Sequence, residues 1–562
     1  MSKALLIFSD NIALQLAIDF ADKLGNTYQF QIGNQELLNP NFTIDGKINS
    51  ILESSIEAIE YSCIFIPFSL SKNNYVEFTG LRLACHIRLT PRFKNMSTPI
   101  VFYGYESAFE VNKLSSLGSI LFSKGIYTTD RISIEDFRKQ IAFVQENQLQ
   151  VDTNSFTNIF IERLHIKPAG NYATHHSITN EWAIYRWAKA LQLETENTQK
   201  IETSIGSNLY YKYLKCKYPI TEVIDANSQI ILNSGSILYI DDELDKGWDA
   251  IFKKICLNKT YNSIGSDFKG MTSEKVVSST INEINRINPD VVILDYRLHD
   301  DDFENTNPQE ISGYKILNEI KKINEGMQVI VLSATNKIWN LMELQKAGAD
   351  GFILKESPEL SVDSNYSKNT IANIYRTIND ALAKKYLKEI YTDCEKFILT
   401  IDKMHYASDF LEALKNQLQL SYYLLSKAES KEQFAFAYVS LYMIIEIINK
   451  QFIEDIDEEC YWDEVSKSYT FKAIERLTEW NKISFLYFKK WKGNDNRFIR
   501  NVHFQIQKRN GFIHNDVDIL DRQSNNGNYL NHNIYKPEGY LNLFNSIKVL
   551  LSLLSNADTP HR

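Results

Sequence analysis

Four short apolar runs, each closing on polar residues, constrain this chain more than any other feature. They are ILYIDDE (237–243), VVILDYRL (291–298), QVIVLSA (328–334) and GFILKE (351–356). Short runs rich in Val, Ile and Leu suit strands buried on both faces of a parallel sheet. Helix-length stretches separate them, so the segment reads as an α/β layered domain. In such a sheet, ligands and reacting groups gather at the carboxyl ends of the strands. There the chain offers, in order, Asp241 and Asp242, Asp295, Ser333 and Lys355.

Those residue types suit one chemistry. Phosphoryl transfer to a carboxylate needs a nucleophilic aspartate, a divalent cation and a positive group on the phosphoryl oxygens. Three converging carboxylates repel one another and would bind Mg²⁺ through oxygen. Lys355 would neutralise the phosphoryl charge, and the Ser333 hydroxyl would donate to it. A single aspartate at a strand end is usually a solvated loop residue; five such residues in order are a pattern. The stretch 235–357 resembles the receiver domain of two-component response regulators. The resemblance implies Asp295 as phosphoacceptor and a histidine kinase as phosphodonor. It implies Asp241, Asp242 and Asp295 as Mg²⁺ ligands, with the Arg297 backbone carbonyl. It also implies Ser333 and Lys355 as the coupling pair and Phe352 at the aromatic switch position. Two departures stand out. The loop HDDDFENTNPQE (299–310) is longer than the family's, and Glu356 follows Lys355 where the family has proline. Neither removes a reacting group.

Residues 1–150 form a second α/β series, with apolar runs at 4–10, 63–70, 99–105 and 119–125 and helical stretches at 13–24 and 80–89. TGLRLACHI (79–87) can be laid on SGYKILNEI (312–320), and SLGSILFSKG (116–125) on KAGADGFILKE (346–356) with a one-residue gap, which suggests a duplicated domain, the alternative being that any two flavodoxin-like domains look similar. The chemistry is missing from this copy. Pro67 stands at the acceptor position, Ser9-Asp10 replaces the acidic pair, and Gly104 replaces the hydroxyl. It reads as a degenerate pseudo-receiver used for docking, dimerisation or sensing. An unrelated Rossmann-like ligand domain is the alternative, though no glycine-rich phosphate loop supports one. Residues 151–234 read as a helical connector around EWAIYRWAKAL (181–191). Its Trp182, Tyr185 and Trp187 suit core or a dimer surface, and His175-His176 suit capping or packing rather than phosphorylation.

After the polar linker SVDSNYSKN (361–369), residues 365–562 are expected to be all-α. Their informative motif is Lys508-Arg509-Asn510-Gly511-Phe512-Ile513-His514-Asn515-Asp516. Arg and His five apart can face one phosphate from adjacent turns. Metal-free RNA cleavage needs a base near neutral pH and a cation on the phosphorane, roles that suit His and Arg. An R-x4-H closing a late helix of an all-α domain resembles the HEPN superfamily, whose domains typically pair. The resemblance implies Arg509, Asn510 and His514 as catalytic, with Glu446 as the upstream acid. Eight basic residues between Asn481 and Phe512, interleaved with aromatics, suit single-stranded RNA. The same aromatics are more often core, and Arg and His near a helix end often only cap carbonyls.

Composition sets the outer bounds. The chain has 562 residues, so three or four domains at ~150 each. A net charge of −9 argues against whole-chain binding to nucleic acid. Six scattered cysteines suit neither a disulfide scaffold nor a metal site. No signal peptide and no membrane span are expected, so a cytoplasmic location is expected. The expected architecture is two flavodoxin-like doubly wound parallel-sheet domains, a helical connector and a C-terminal helical bundle. The leading expectation is a homodimeric regulator whose receiver gates a metal-independent ribonuclease, toxin-like or antiviral. The alternative is a non-enzymatic signalling scaffold whose helices bind a protein or RNA. A DNA-binding output is weaker, because no helix-turn-helix follows the receiver.

Overall fold

A computed structural model of the chain describes all residues except 1–2, 10–13, 31–42, 57–58, 71–77, 91–92, 148–157, 169–174, 221–230, 258, 306, 335–337, 362–364, 464, 516–532 and 558–562. Asp10 and Asp516 therefore lie outside the described residues, as do the side chains of His175 and His176. The chain divides into two compact units. One comprises Met1–Ile316 with Val329–Ala381, the other Leu317–Gln328 with Leu382–Arg562.

The first unit holds two parallel five-stranded sheets. The first contains β1 (Ala4–Phe8), β2 (Gly25–Gln29), β3 (Ile64–Pro67), β4 (Ile100–Tyr103) and β5 (Ile126–Thr129), in the order β2-β1-β3-β4-β5. The second contains β6 (Ser236–Ile240), β7 (Thr260–Ile264), β8 (Val291–Asp295), β9 (Gln328–Ser333) and β10 (Gly351–Leu354), in the order β10-β9-β8-β6-β7. Both follow one doubly wound order, and its switch point lies between the first and third strands of each series. Helices α1 (Leu14–Lys23), α2 (Ile44–Ile51), α3 (Thr79–Arg88), α4 (Ala108–Leu114) and α5 (Ile134–Glu146) belong to the first block. Helices α6 (His175–Ala190), α7 (Glu196–Ser207) and α8 (Leu209–Lys217) form the connector. Helices α9 (Trp248–Ile255), α10 (Ser273–Ile287), α11 (Ser312–Ile323), α12 (Ile338–Lys346) and α13 (Tyr366–Ala383) follow.

Strand alternation decides what packs where, because successive side chains point to opposite faces. Ala4, Leu6 and Phe8 join one core with Phe20 and Phe137. Leu5 and Ile7 join another with Leu81, Ile205, Trp182 and Tyr211. The connector thus completes the second face of the first block. A polar clamp accompanies that packing. Asp45 on α2 accepts from Arg82 at 2.5 and 2.8 Å and from the Leu209 N–H at 3.0 Å, and meets His86 Nε2 at 2.8 Å. Burial alone would raise the Asp45 pKa, but the His86 and Arg82 hydrogen bonds outweigh it and hold the carboxyl well below the usual range. Lys212 on α8 reaches Asn49 at 2.5 Å and Thr90 at 2.7 Å. Trp182 and Trp187 are fully buried, so the connector's aromatic stripe is core.

The two blocks correspond in their backbones. Gly80 begins α3 with its N–H 3.1 Å from the Phe68 carbonyl, and Gly313 begins α11 with its N–H 3.2 Å from the Tyr296 carbonyl. A Cβ on Gly80 would stand 1.9 Å from the Pro67 oxygen; one on Gly313 would stand 2.8 Å from the Asp295 oxygen. Pro67 and Asp295 therefore hold equivalent places. One expectation fails. The run at 119–125 is not a strand: Gly118–Phe122 is a 3₁₀ turn, and the strand follows as β5. Tyr103 pairs with Thr129, and the Gly104 N–H bonds the Thr129 oxygen. The end of β5, near Arg131, thus takes the place that the sequence alignment gave to 124–125.

The second unit is mainly helical, with α14 (Tyr386–Ile401), α15 (Ser408–Ser426), α16 (Lys431–Gln451), α17 (Glu479–Phe485), α18 (Asn496–Ile513) and α19 (Pro537–Ala557). Ser430 and Gln433 close a capping box at the start of α16. The Asp495 carboxylate caps α18 through the Arg497 and Phe498 N–H groups. Leu418, Leu441, Ile445, Val502, Ile547 and Leu550 lie at the centre of its core. An antiparallel hairpin was not anticipated from sequence: β11 (Glu459–Asp463) pairs with β12 (Ser468–Lys472), Trp462 opposite Tyr469. Among the described residues, no helix is long and apolar enough to cross a membrane.

Candidate functional site

The carboxyl ends of β6, β8, β9 and β10 bring the sequence-selected residues together. Lys355 Nζ lies 2.9 Å from Asp295 Oδ1 and 3.5 Å from Asp241 Oδ2, with all three side chains almost fully buried. The shorter contact is a buried ion pair that holds the ammonium against the Asp295 carboxylate. Asp241 is further fixed by the Tyr239 hydroxyl at 2.6 Å and the Glu243 N–H at 2.7 Å. Asp295 Oδ2 accepts from the Arg297 N–H at 3.2 Å. Ser333 is buried at the end of β9, and its carbonyl takes the Lys355 N–H at 2.8 Å. Phe352 is half-buried on β10, opposite Val331.

Charge is out of balance here, because Asp241, Asp242 and Asp295 face a single ammonium. Burial, then the Asp241 and Asp295 carboxylates, push the Asp242 pKa up to about 8. Burial raises Asp295 as well; the Lys355 charge opposes that shift and Asp241 adds to it. Burial works against the Lys355 charge, yet Asp241 and Asp295 outweigh it and hold its pKa above the ordinary lysine range. The pocket thus has room for more positive charge, and its donors are the hard oxygens that Mg²⁺ prefers. Among the described residues, no three acidic, His or Cys side chains are already drawn into a closed metal cage. The donor chemistry fits Mg²⁺, with Asp242 the carboxylate under most strain.

Three supporting residues escaped the sequence reading. Asp302, in the long loop, is almost wholly buried and accepts from the Leu298, His299 and Ser312 N–H groups at 3.0, 3.2 and 3.0 Å. It ties the two ends of that loop together, while most of the loop's other described residues stay exposed. Trp248, at the start of α9, lies 4.7 Å beneath Lys355 Nζ. Glu356 pairs with Arg186 at 2.9 Å, both side chains fully buried. Neither contact leaves a trace at local spacing, since Arg186 is 170 residues from Glu356.

Comparison with known proteins matches this geometry. Residues 19–129 match the family model for the inactive receiver domain, and residues 270–362 match that for the response regulator receiver domain. The chain carries receiver domains. Among solved structures, a CheY-like receiver domain protein from Methanospirillum hungatei JF-1 is 18% identical over 26% of this chain and 97% of its own, with a TM-score of 0.19. The signal receiver domain of a modulated diguanylate cyclase from Desulfovibrio desulfuricans G20 is 12% identical over 28% and 98%, at 0.20. NtrX from Brucella abortus is 15% identical over 47% and 58%, at 0.21. Among curated proteins none matches. In the inactive receiver, Pro67 at the end of β3 offers no carboxylate, and Gly104 offers no hydroxyl.

The receivers leave the helical unit to be read from its own residues. Arg509 reaches Glu446 at 2.7 Å and Asn510 at 3.1 Å, and lies 4.9 Å from the Tyr442 ring. These three motif residues are brought together. His514 stands exposed just past α18, its N–H on the Asn510 carbonyl at 2.9 Å. Four of the eight basic residues of the run pair with acids, Arg509 among them. Lys482 pairs with Glu479, Lys489 with Glu458, and Lys490 with Asp455. Arg500 covers Trp462 at 4.7 Å, and Lys508 is buried. Phe485, Tyr487 and Trp491 are buried too, so the structure corrects the expected stacking face: these rings are core. Beside them, His503 meets Ser484 at 2.7 Å and the Tyr469 hydroxyl at 3.2 Å. Burial pushes its pKa down to about 4.

Proposed function

We propose that this chain is a two-component response regulator in which Asp295 accepts a phosphoryl group from a partner histidine kinase. The observation that carries the reading is Lys355 Nζ, 2.9 Å from Asp295 Oδ1 and 3.5 Å from Asp241 Oδ2, with all three side chains buried. A buried ammonium poised on the nucleophile is available to the incoming phosphoryl oxygens. Asp241, Asp242, Asp295 and the Arg297 carbonyl would hold Mg²⁺, which would supply charge neutralisation when bound. The Asp295 carboxylate attacks phosphorus; the P–N bond to the kinase imidazole breaks, and its electron pair stays on that nitrogen. Lys355 then shifts its charge to the phosphoryl oxygens, and the Ser333 hydroxyl donates to one of them. Incubation with a phosphodonor and Mg²⁺ should label wild type and leave Asp295→Asn unlabelled; equal labelling would refute the reading.

For the helical unit we propose a HEPN-like ribonuclease gated by this phosphorylation in a homodimer. His514 would take the 2′-hydroxyl proton and Arg509 would hold the phosphate; the 2′-oxygen would bond to phosphorus as the P–O5′ bond breaks, and the 5′-oxygen would leave with the electron pair and take a proton from water, leaving a cyclic phosphate end. The support is the Arg509–Glu446–Asn510 cluster beside an exposed His514. A scaffold that binds a protein or RNA without cutting is the second reading, favoured by the commitment of Arg509 to Glu446 and Tyr442. RNA cleavage measured with and without beryllofluoride separates them. Cleavage that is lost in His514→Ala supports the nuclease; none in either state, or equal cleavage by the variant, supports the scaffold.

A further inference from the structure

We infer that Arg186, on the connector and outside the phosphorylated receiver, is a positioning residue for phosphoryl transfer: through Glu356 it sets Lys355 upon Asp295. The inference rests on the receiver reading above and deepens it.

Helix α6 touches two of the strand-end connections, those after β6 and β10. Asn180 donates to the Glu243 carboxylate, and the Glu243 N–H in turn holds Asp241 Oδ1 at 2.7 Å. Trp187 meets Trp248 edge-on at 5.3 Å, and Trp248 underlies Lys355. Arg186 Nε reaches Glu356 Oε1 at 2.9 Å and Ser367 Oγ at 2.9 Å, and Nη1 reaches the Tyr218 carbonyl. Ser361 and Ser367 donate to the same Glu356 oxygen at 2.8 and 3.1 Å, and the Trp182 indole donates to Ser361 at 2.8 Å. Glu356 is one peptide from Lys355, so fixing the first restricts the second. The sequence supports the assignment, since Glu356 stands where receivers customarily have proline.

A purely stabilising role explains this pair poorly. Arg186 Nη2 and Glu356 Oε2 are buried without hydrogen-bond partners. A buried ion pair left partly unsatisfied often contributes less stability than apolar side chains of similar size. A role in aiming Lys355 accounts for its presence. Coupling is reciprocal: if the connector aims Lys355, phosphorylation alters how tightly the connector holds Glu356.

The test uses the full chain, acetyl phosphate and Mg²⁺. In the labelling step the Asp295 oxygen bonds to phosphorus, the P–O bond to the acetyl group breaks, and acetate leaves with the electron pair. The variant Arg186→Met/Glu356→Leu removes both buried charges at similar volume. Its maximal labelling rate should fall about tenfold, with half-saturating acetyl phosphate and Mg²⁺ within about twofold of wild type. Arg186→Lys, which keeps the charge but not the fork, should label at an intermediate rate. Wild-type rates in the double variant overturn the inference, as does a loss of Mg²⁺ affinity in step with rate. Should the double variant not fold, wild-type labelling by Arg186→Lys overturns it. Wild type that takes no label at all refutes the receiver reading instead.

Discussion

At the scale of single residues, the strand-end pocket is governed by surplus negative charge. Burial and the neighbouring carboxylates push Asp242 up to about 8, and burial raises Asp295 too. A carboxyl whose folded pKa is raised binds its proton more readily folded than unfolded. Its stabilising contribution is therefore complete below the unfolded value, near 4, and is lost as pH rises towards about 8. In EDTA the receiver's thermal midpoint should fall steadily between about pH 5 and about pH 8, and saturating Mg²⁺ should flatten the slope. Asp242→Asn should remove much of the dependence; a flat profile for wild type in EDTA would contradict the charge argument. Asp302 makes a second prediction. Its carboxylate accepts from two buried N–H groups and one part-buried one, so Asp302→Ala should cost about 3 kcal/mol in chemical denaturation. The loop 299–310 should then be cut faster by protease, and unchanged cutting would show that something else orders it.

At the scale of elements, what was legible followed hydrophobicity. The central strands β1, β3, β4, β6, β8 and β9 read directly from apolar runs, since both their faces are buried. The edge strands β2 (GNTYQ) and β7 (TYNSI) did not, because a half-exposed edge needs no apolar run. The run at 119–122 misled for the opposite reason: it is apolar because a 3₁₀ turn buries it, not because it is a strand. Hairpin β11–β12 hid between strongly helical segments, although its two strands are close in sequence and pair locally. Within the site, Asp241, Asp242, Asp295, Ser333 and Lys355 were legible because each ends a strand; Trp248 and Arg186 were not, because tertiary packing alone brings them in, and Asp302 was not, because it is one of several acids in a polar loop. The Asp45 clamp is a device of that second kind, joining α2, α3 and the start of α8. Asp45→Ala removes the carboxylate that Arg82, His86 and the Leu209 N–H share, so it should destabilise the first unit by about 3 kcal/mol. Hydrogen exchange should accelerate over 209–217, and protection unchanged there would assign the connector's docking to its apolar core alone.

At the scale of the molecule, two units with separate cores should unfold in two calorimetric transitions. A ligand that binds only the folded state stabilises its own unit by about 2.7 kcal/mol at a hundred times Kd. Mg²⁺ with beryllofluoride, a phosphoryl mimic, should therefore raise the transition of the receiver-bearing unit by a few degrees, and Asp295→Asn should abolish that shift. The helical unit is the sharper case. If it is an output gated by phosphorylation, the two units share a coupling free energy, typically about 1–3 kcal/mol. Its transition, or the hydrogen exchange of α16 and α18, should then respond to beryllofluoride although the ligand binds elsewhere. A response of either sign supports gating, because the sign says only which state the phosphoryl group favours. A helical unit indifferent to the ligand, beside a receiver that takes it up, would separate the two halves of the proposal. Phosphorylation chemistry at Asp295 would stand, and control of the Arg509–His514 cluster by it would not.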